Sequence, residues 1–187
     1  MREIIRSVKP YWFYLICEGI KKAEVGKSKP TAQNWNKAVY LYCSKDKKSF
    51  NRIPKEHREK YRKYLGTIGA RFISDKIDNY RNFIINPINK YEQKTIDGIL
   101  NISCLSHGEL CEYLTEREDN KHFYIWHISN LVIYEKPREL YDFVNYAKHE
   151  VCLQKNCFNG DCWSCPKNAI MVRPPQSWCY VKREGTE

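Results

Sequence analysis

The chain has 187 residues and carries 32 Lys or Arg against 22 Asp or Glu, a formal net charge of +10. Its hydrophobic content of 42% is enough for a folded core, and eight Gly and eight Pro exclude collagen-like and low-complexity classes. The charge predicts a polyanionic partner, a nucleic acid or an anionic membrane. No run reaches the roughly 20 apolar residues that span a bilayer, so we expect a nucleic acid and no membrane.

Helices and strands alternate in the first half of the chain. Pro10 suits the first turn of a helix whose buried apolar stripe includes Trp12, Leu15 and Ile16, and Gly19 is expected to terminate the helix. Residues 39–44 are β-branched and aromatic and predict a buried strand. A helix is predicted over 54–65, and strands over 67–74 and 80–85.

The second half continues this mixed pattern. Ser106 and Glu109 have the spacing of a capping box and predict a helix through Leu114. Alternating residues predict a long strand over 123–134, and Pro137 predicts a short helix. A last strand is expected over 177–182. This order indicates an α+β fold with a curved or barrel-like sheet.

The excess charge is confined to the first third of the chain. Residues 1–65 hold 17 basic and six acidic residues, whereas residues 66–187 hold 15 and 16. Within the predicted helix over 54–65, Lys55, Arg58 and Arg62 share a face with no carboxylate in register, which predicts phosphate contacts. The alternative is a solvated helix face that keeps the protein soluble.

A cysteine cluster lies near the C-terminus. Cys152, Cys157, Cys162 and Cys165 follow the pattern C-x4-C-x4-C-x2-C, which predicts a structural zinc site in a loop over about 149–168, with His149 as a possible replacement ligand. The alternatives are scattered reduced core cysteines or a redox pair at the C-x-x-C. Nine cysteines without an export signal predict a reducing cytoplasm.

The N-terminal sequence carries a family resemblance. Ser7-Val8-Lys9-Pro10, followed by Gly19-Ile20-Lys21-Lys22-Ala23-Glu24-Val25, resembles the opening of ASCH domains of the PUA-like superfamily. The segments 126–131 and 173–181 look like the ending of phage-type and prophage-type ASCH proteins. The resemblance implies one PUA-like domain over 1–187: a curved β-barrel with flanking short helices, into which the cysteine loop is inserted.

The resemblance also implies a function. ASCH domains are thought to bind RNA or modified nucleotides beside a β-barrel, so RNA or single-stranded nucleic acid is the expected partner. Some members resemble amidohydrolases of acetylcytidine that use a Lys, a Thr and a Glu, and others are described as nucleases. Lys21 matches that Lys, but Glu24 occupies the Thr position. A hydrolase acting on a modified nucleoside or RNA is therefore the alternative. A protein-interaction domain that uses the cysteine module is a third option.

The candidate site residues combine these arguments. Lys21 and Glu24 are a cation and a carboxylate, expected as an exposed pair at the mouth of the sheet, that can read a base edge, bind phosphate or exchange protons. The alternative is a surface ion pair that contributes little to stability. His127, a minority candidate for a general base, shares a strand face with Phe123 and Ile125 and is expected to be a core histidine. The catalytic candidates are thus Lys21, Glu24 and His127. A cleft is expected with Lys21 and Glu24 at its floor, Lys9 above and residues 176–178 closing one side. The predicted nucleic-acid contacts as a whole are Lys9, Lys21, Lys22, Glu24, Lys45, Lys55, Arg58, Arg62, Arg71, Trp126, Gln176, Ser177 and Trp178.

Overall fold

The computed structural model describes residues 2–31, 35–81, 89–115, 122–145 and 170–183. The chain divides into two compact units. Unit 1 comprises Met1–Tyr14, Ala32–Ile73 and Asn130–Glu187, and unit 2 comprises Leu15–Thr31 and Ser74–Ser129. Strands and helices occur in both, in agreement with the expected α+β class. No helix of the described ranges is long and apolar enough to cross a membrane.

Nine strands and five α-helices are described. The strands are β1 (Arg2–Val8), β2 (Ala23–Gly26), β3 (Trp35–Cys43), β4 (Ile68–Ile73), β5 (Ile77–Arg81), β6 (His122–His127), β7 (Ser129–Arg138), β8 (Phe143–Asn145) and β9 (Trp178–Arg183). The helices are α1 (Pro10–Cys17), α2 (Lys47–Phe50), α3 (Lys55–Arg62), α4 (Lys90–Ser103) and α5 (His107–Thr115).

Unit 1 is built on a six-stranded sheet in the order β7-β4-β3-β1-β9-β8. β1 runs parallel to β3 and antiparallel to β9, so the last strand pairs beside the first, as the PUA-like resemblance requires. The expected closed barrel is wrong, because β7 and β8 remain as the two edges of this described sheet. Closure requires the edge strands to pair, and three of the nine described strands pair elsewhere, in unit 2.

The sheet of unit 1 is buried on both faces at its centre. The neighbouring residues Ile4 and Ile5 of β1 point to opposite faces, and neither is exposed to solvent. In β4, a Cβ on Gly69 would lie 2.5 Å from the rings of Phe13 and Tyr64. Glycine therefore allows these aromatic rings to pack directly on the strand backbone.

Unit 2 contains a three-stranded antiparallel sheet in the order β2-β6-β5. One sheet face packs with apolar residues of α4 and α5. The predicted capping box of α5 is confirmed, since Ser106 Oγ accepts from the Glu109 amide at 3.1 Å and the Glu109 carboxylate accepts from the Ser106 amide at 3.0 Å. The buried core residues are Ala23, Val25, Ile96, Ile99, Leu110, Leu114, Phe123 and Ile125.

Two predicted elements differ from the structure. The long strand over 123–134 is two strands, β6 and β7, separated at Ile128, and Asn130 adopts a left-handed conformation with φ of 47°. The helix expected after Pro137 is a single 3₁₀ turn over Leu140–Asp142, because Pro137 lies inside β7.

Candidate nucleic-acid interface

The basic segment folds as two short helices of unit 1. Asp46 caps α2 by accepting a hydrogen bond from the Ser49 amide at 2.9 Å. Pro54 precedes α3, which turns Tyr61 towards the core. The Tyr11 amide donates to Ser49 Oγ at 3.0 Å, and the Tyr14 ring contacts Tyr61 edge-on at 5.2 Å. These contacts hold α1, α2 and α3 together.

Two of the three cations predicted to face phosphate are engaged within the protein. Arg58 donates to the carbonyls of Ile53 and Asn51 at 2.8 and 2.6 Å, which anchors the link between α2 and α3. Arg62 donates to Glu59 at 3.2 Å. The expectation of a face without a carboxylate in register is therefore wrong, because Glu59 lies one turn before Arg62.

The remaining lysines of this segment are exposed. Lys55 begins α3, and within the described ranges its side chain has no ion-pair or hydrogen-bond partner. The same holds for Lys47 and Lys48 of α2. The stem of Lys45 packs over Gly66, whose φ of 80° excludes most other residues. We call Lys45, Lys47, Lys48, Arg52 and Lys55 the basic surface.

Arg52 joins the basic surface to two aromatic rings. Its guanidinium lies 4.1 Å from the centre of the Tyr11 ring and 4.9 Å from that of Trp12. The two rings are half-buried and 5.0 Å apart. Trp12 was expected on the buried stripe of α1, but Phe13 and Ile16 are the fully buried residues there. The structure thus places an exposed guanidinium on an aromatic pair, which the sequence does not indicate.

Lys21 and Glu24 lie together in unit 2. α1 ends before Gly19, whose φ of 68° turns the chain, and the Lys21 amide bonds back to the Leu15 carbonyl at 3.0 Å. The Lys21 ammonium donates to the Ser103 carbonyl at the end of α4 at 2.5 Å and lies 3.6 Å from the Glu24 carboxylate. A cation at this helix terminus satisfies a free carbonyl and interacts favourably with the helix dipole.

The Lys21–Glu24 pair is buried, whereas an exposed pair was expected. The two side chains are 2% and 10% exposed. Burial also raises the pKa of the nearby Cys104 thiol, although Lys21 and Lys22 act in the opposite direction. Lys22 itself is exposed. In this conformation the ammonium is engaged with protein groups, and a ligand reaches it only if they rearrange.

His127 is held by a carboxylate on the same sheet. Its Nε2 lies 2.7 Å from Asp78 Oδ2, and Lys76 Nζ lies 3.1 Å from the same oxygen. Burial raises the pKa of Asp78, but these hydrogen bonds and charges outweigh it and hold that pKa below its ordinary value. His127 thus has a satisfied structural partner, and its role as a base stays a prediction.

The predicted aromatic readers have different environments. Trp126 is 0% exposed and lies between Glu24 and Ile77 in the sheet, so it offers no face for stacking in this structure. Trp178 is half-buried in β9 and contacts the Tyr180 ring edge-on at 5.3 Å. Gln176 and Ser177 are exposed beside it.

The predicted cleft combines residues of both units. Lys9 is exposed and, like residues 176–178, belongs to unit 1, whereas Lys21 and Glu24 belong to unit 2. A cleft shared by these groups stays a prediction. Arg71 lies in β4 of unit 1, directly opposite Tyr40 of β3.

The cysteine cluster and His149 lie outside the described residues. Within the described ranges, no group of three or more His, Cys, Asp or Glu side chains is placed to hold a metal ion. The zinc site therefore stays a prediction.

Comparison with solved structures identifies the fold. An ASCH protein from Zymomonas mobilis superposes with a TM-score of 0.52 over 97% of this chain and 89% of its own, at 13% identity. Two variants of that protein, one with a tyrosine changed to phenylalanine and one with a serine changed to alanine, each give a TM-score of 0.53 at 13% identity, covering 96% of this chain and 90% and 88% of theirs. No family model and no curated protein matches the sequence. The chain therefore shares the fold of these ASCH structures.

Proposed function

We propose that this protein binds single-stranded nucleic acid, RNA in particular, through the basic surface. The observation that carries this proposal is the position of Arg52, an exposed cation on the Tyr11 and Trp12 rings, within a few residues of lysines that have no described partner. Lysines without internal partners are available to neutralise phosphates and release their counterions.

The aromatic pair favours a single strand over a duplex. Unpaired bases expose their faces and stack on aromatic rings or on an arginine plane, whereas paired bases are stacked within the helix. Arg52 is exposed and lies over the Tyr11 ring, and Trp12 is half-buried beside it. We propose that a base stacks on this platform and that its phosphates contact Lys48 and Lys55, which lie three to four residues from Arg52 in the sequence.

The ASCH fold and the resemblance of the N-terminal sequence support RNA or a modified nucleotide as the ligand class. Kinship with phage-type members is part of this proposal and rests on the segments 126–131 and 173–181.

Binding is tested by fluorescence anisotropy with a labelled single-stranded RNA across a salt series. The test variant changes Lys47, Lys48 and Lys55 to Glu, and the matched control changes Lys90, Lys94 and Lys136, which are also exposed. We expect the test variant to lose about 30-fold or more in affinity at low salt, with a slope of log K on log salt shallower by about 2. Equal losses in both variants would indicate unspecific attraction and contradict the proposal.

Two further variants locate the stacking site. Trp12→Leu removes a ring of the platform, and Trp178→Leu removes one from the cleft expected from sequence. We expect a loss of about 5- to 100-fold for Trp12→Leu, since a stacked base contributes about 1–3 kcal/mol. The reverse order would place the RNA on β9. Product analysis of the same RNA and of acetylcytidine tests the hydrolase alternative, which predicts cleavage or deacetylation.

We also propose that Cys152, Cys157, Cys162 and Cys165 bind one structural zinc ion. Four thiolates at this spacing suit a closed tetrahedral site. Elemental analysis of protein purified under reducing conditions without chelator is expected to give one zinc per chain. Cys162→Ser is expected to lose most of it, while Cys111→Ser, a half-buried cysteine of α5, keeps it. A zinc content near zero in the parent protein would refute the site.

A further inference from the structure

Arg71 is a half-buried cation without an internal partner. It lies in β4, and its Nε atom is shielded from solvent. No described residue accepts a hydrogen bond from this nitrogen, nor does any described carboxylate pair with the guanidinium. Buried arginines are normally paired, because an unsatisfied charge away from water is costly. The contrast is Arg58 of the same unit, which donates to two carbonyls.

An acid beside Tyr40 is already engaged in a hydrogen bond. Tyr40, opposite Arg71 in β3, donates its hydroxyl proton to Glu3 at 3.1 Å. Burial, together with the charge of Glu3, raises the pKa of Tyr40 to about 12, so the hydroxyl remains protonated. Glu3 accepts from Tyr40 and forms no ion pair with Arg71 among the described residues, which leaves the guanidinium of Arg71 for another anion.

A second cation, Arg138, lies on β7, the strand next to β4 in the sheet. Tyr134 of β7 is near enough to influence Tyr40 electrostatically, and the Arg138 guanidinium lies 4.7 Å from the centre of the Tyr134 ring. Tyr134 and Arg138 are half-buried and so reach solvent.

We propose that Arg71, with Arg138 at the rim, binds the phosphate group of a phosphate monoester on this face of the unit 1 sheet. A guanidinium donates two parallel hydrogen bonds to a phosphate, and a dianion offsets both arginines. The apolar floor is formed by Tyr40 and Phe143, whose rings are 4.8 Å apart. This site is separate from the basic surface and does not depend on RNA binding there.

The test measures thermal unfolding and isothermal titration with inorganic phosphate, adenosine monophosphate and adenosine. The melting temperature of the parent protein is expected to be several degrees higher in about 20 mM phosphate or nucleotide than without ligand, because a ligand that binds the native state stabilises it. Arg71→Met is expected to lose this shift and to melt no lower than the parent without ligand. Arg58→Met, the matched control, is expected to melt lower but to keep the shift.

The outcomes distinguish the source of the phosphate. Tighter binding of adenosine monophosphate than of phosphate supports a nucleotide ligand, and equal binding supports a site for the phosphate group alone. Binding of adenosine as tight as that of the monophosphate overturns the proposal, as does a shift retained in Arg71→Met. Arg71→Lys keeps the positive charge but loses the planar guanidinium that donates two parallel hydrogen bonds, and it is expected to bind adenosine monophosphate about 10-fold more weakly. If neither Arg71 variant folds, Arg71 is structural and the proposal is wrong.

Discussion

Lysines occupy opposite environments in the two units. In unit 1, Lys47, Lys48 and Lys55 are exposed and have no partner among the described residues. In unit 2, Lys21 is buried between a helix terminus and Glu24. The same side chain is therefore available to a ligand in one unit and bound into the structure in the other. A basic residue in a family motif is thus not by itself evidence of a binding role.

The cores differ in a related way. The described helices of unit 1 pack through aromatic rings. The centre of the Phe13 ring lies 5.3 Å from the centre of the Tyr64 ring and 6.4 Å from that of the Tyr61 ring. Unit 2 relies on aliphatic residues and on the Lys21–Glu24 pair. The stability of unit 1 is consequently expected to be sensitive to changes in side-chain volume, and the stability of unit 2 to the loss of a buried charge.

The largest expected effect is the removal of the buried cation of unit 2. Lys21→Ala removes the buried cation that lies beside the Glu24 carboxylate and leaves the Ser103 carbonyl without its ammonium donor. We expect a loss of about 3–5 kcal/mol in the free energy of unfolding, measured by urea denaturation. The control Lys22→Ala removes an exposed neighbour and is expected to change it by less than about 0.5 kcal/mol. Equal small effects would mean that Lys21 is exposed, as expected from sequence.

A smaller effect is expected from added volume in unit 1. Gly69→Ala places a methyl group against Phe13 and Tyr64, and overpacking of this kind costs about 1–3 kcal/mol. The control is Gly98→Ala in α4, where no atom lies within 4 Å and alanine favours the helix by up to about 1 kcal/mol. The two variants are thus expected to change thermal stability in opposite directions. A neutral Gly69→Ala would show that the aromatic packing of unit 1 is adaptable.

Local sequence signals predicted the elements that have local causes. The start of α1 at Pro10, the turn at Gly19 and the capping box of α5 each depend on residues within one or two turns. Sheet closure depends on which strands pair at long range, and periodicity does not encode that choice. The division of 123–134 into β6 and β7 likewise reflects their membership of different sheets.

The candidate site was less predictable for the same reason. The sequence located the basic segment, but helical spacing did not show that Arg58 bonds to backbone carbonyls or that Arg52 lies on Tyr11. The burial of Lys21 depends on the end of α4, some 80 residues later, and no helix was predicted there. That the Nε atom of Arg71 is buried without a hydrogen-bond acceptor among the described residues also depends on tertiary contacts, which local sequence does not show.

The smallest expected effect concerns acid stability in unit 2. The native-state pKa of Asp78 is held below its ordinary value by His127 and Lys76, even though burial acts in the opposite direction. A carboxyl group with a lowered native-state pKa stabilises the protein at pH values above the pKa of the unfolded state, which is near 3.8 for Asp78. This stabilisation is lost as the pH falls through the native-state pKa. At neutral pH we expect Asp78→Asn to lose at most about 1 kcal/mol, since the pair is partly exposed. The deficit relative to the parent should shrink below pH 4 in thermal unfolding. A constant deficit from pH 7 to pH 3 would show that Asp78 contributes packing and not charge.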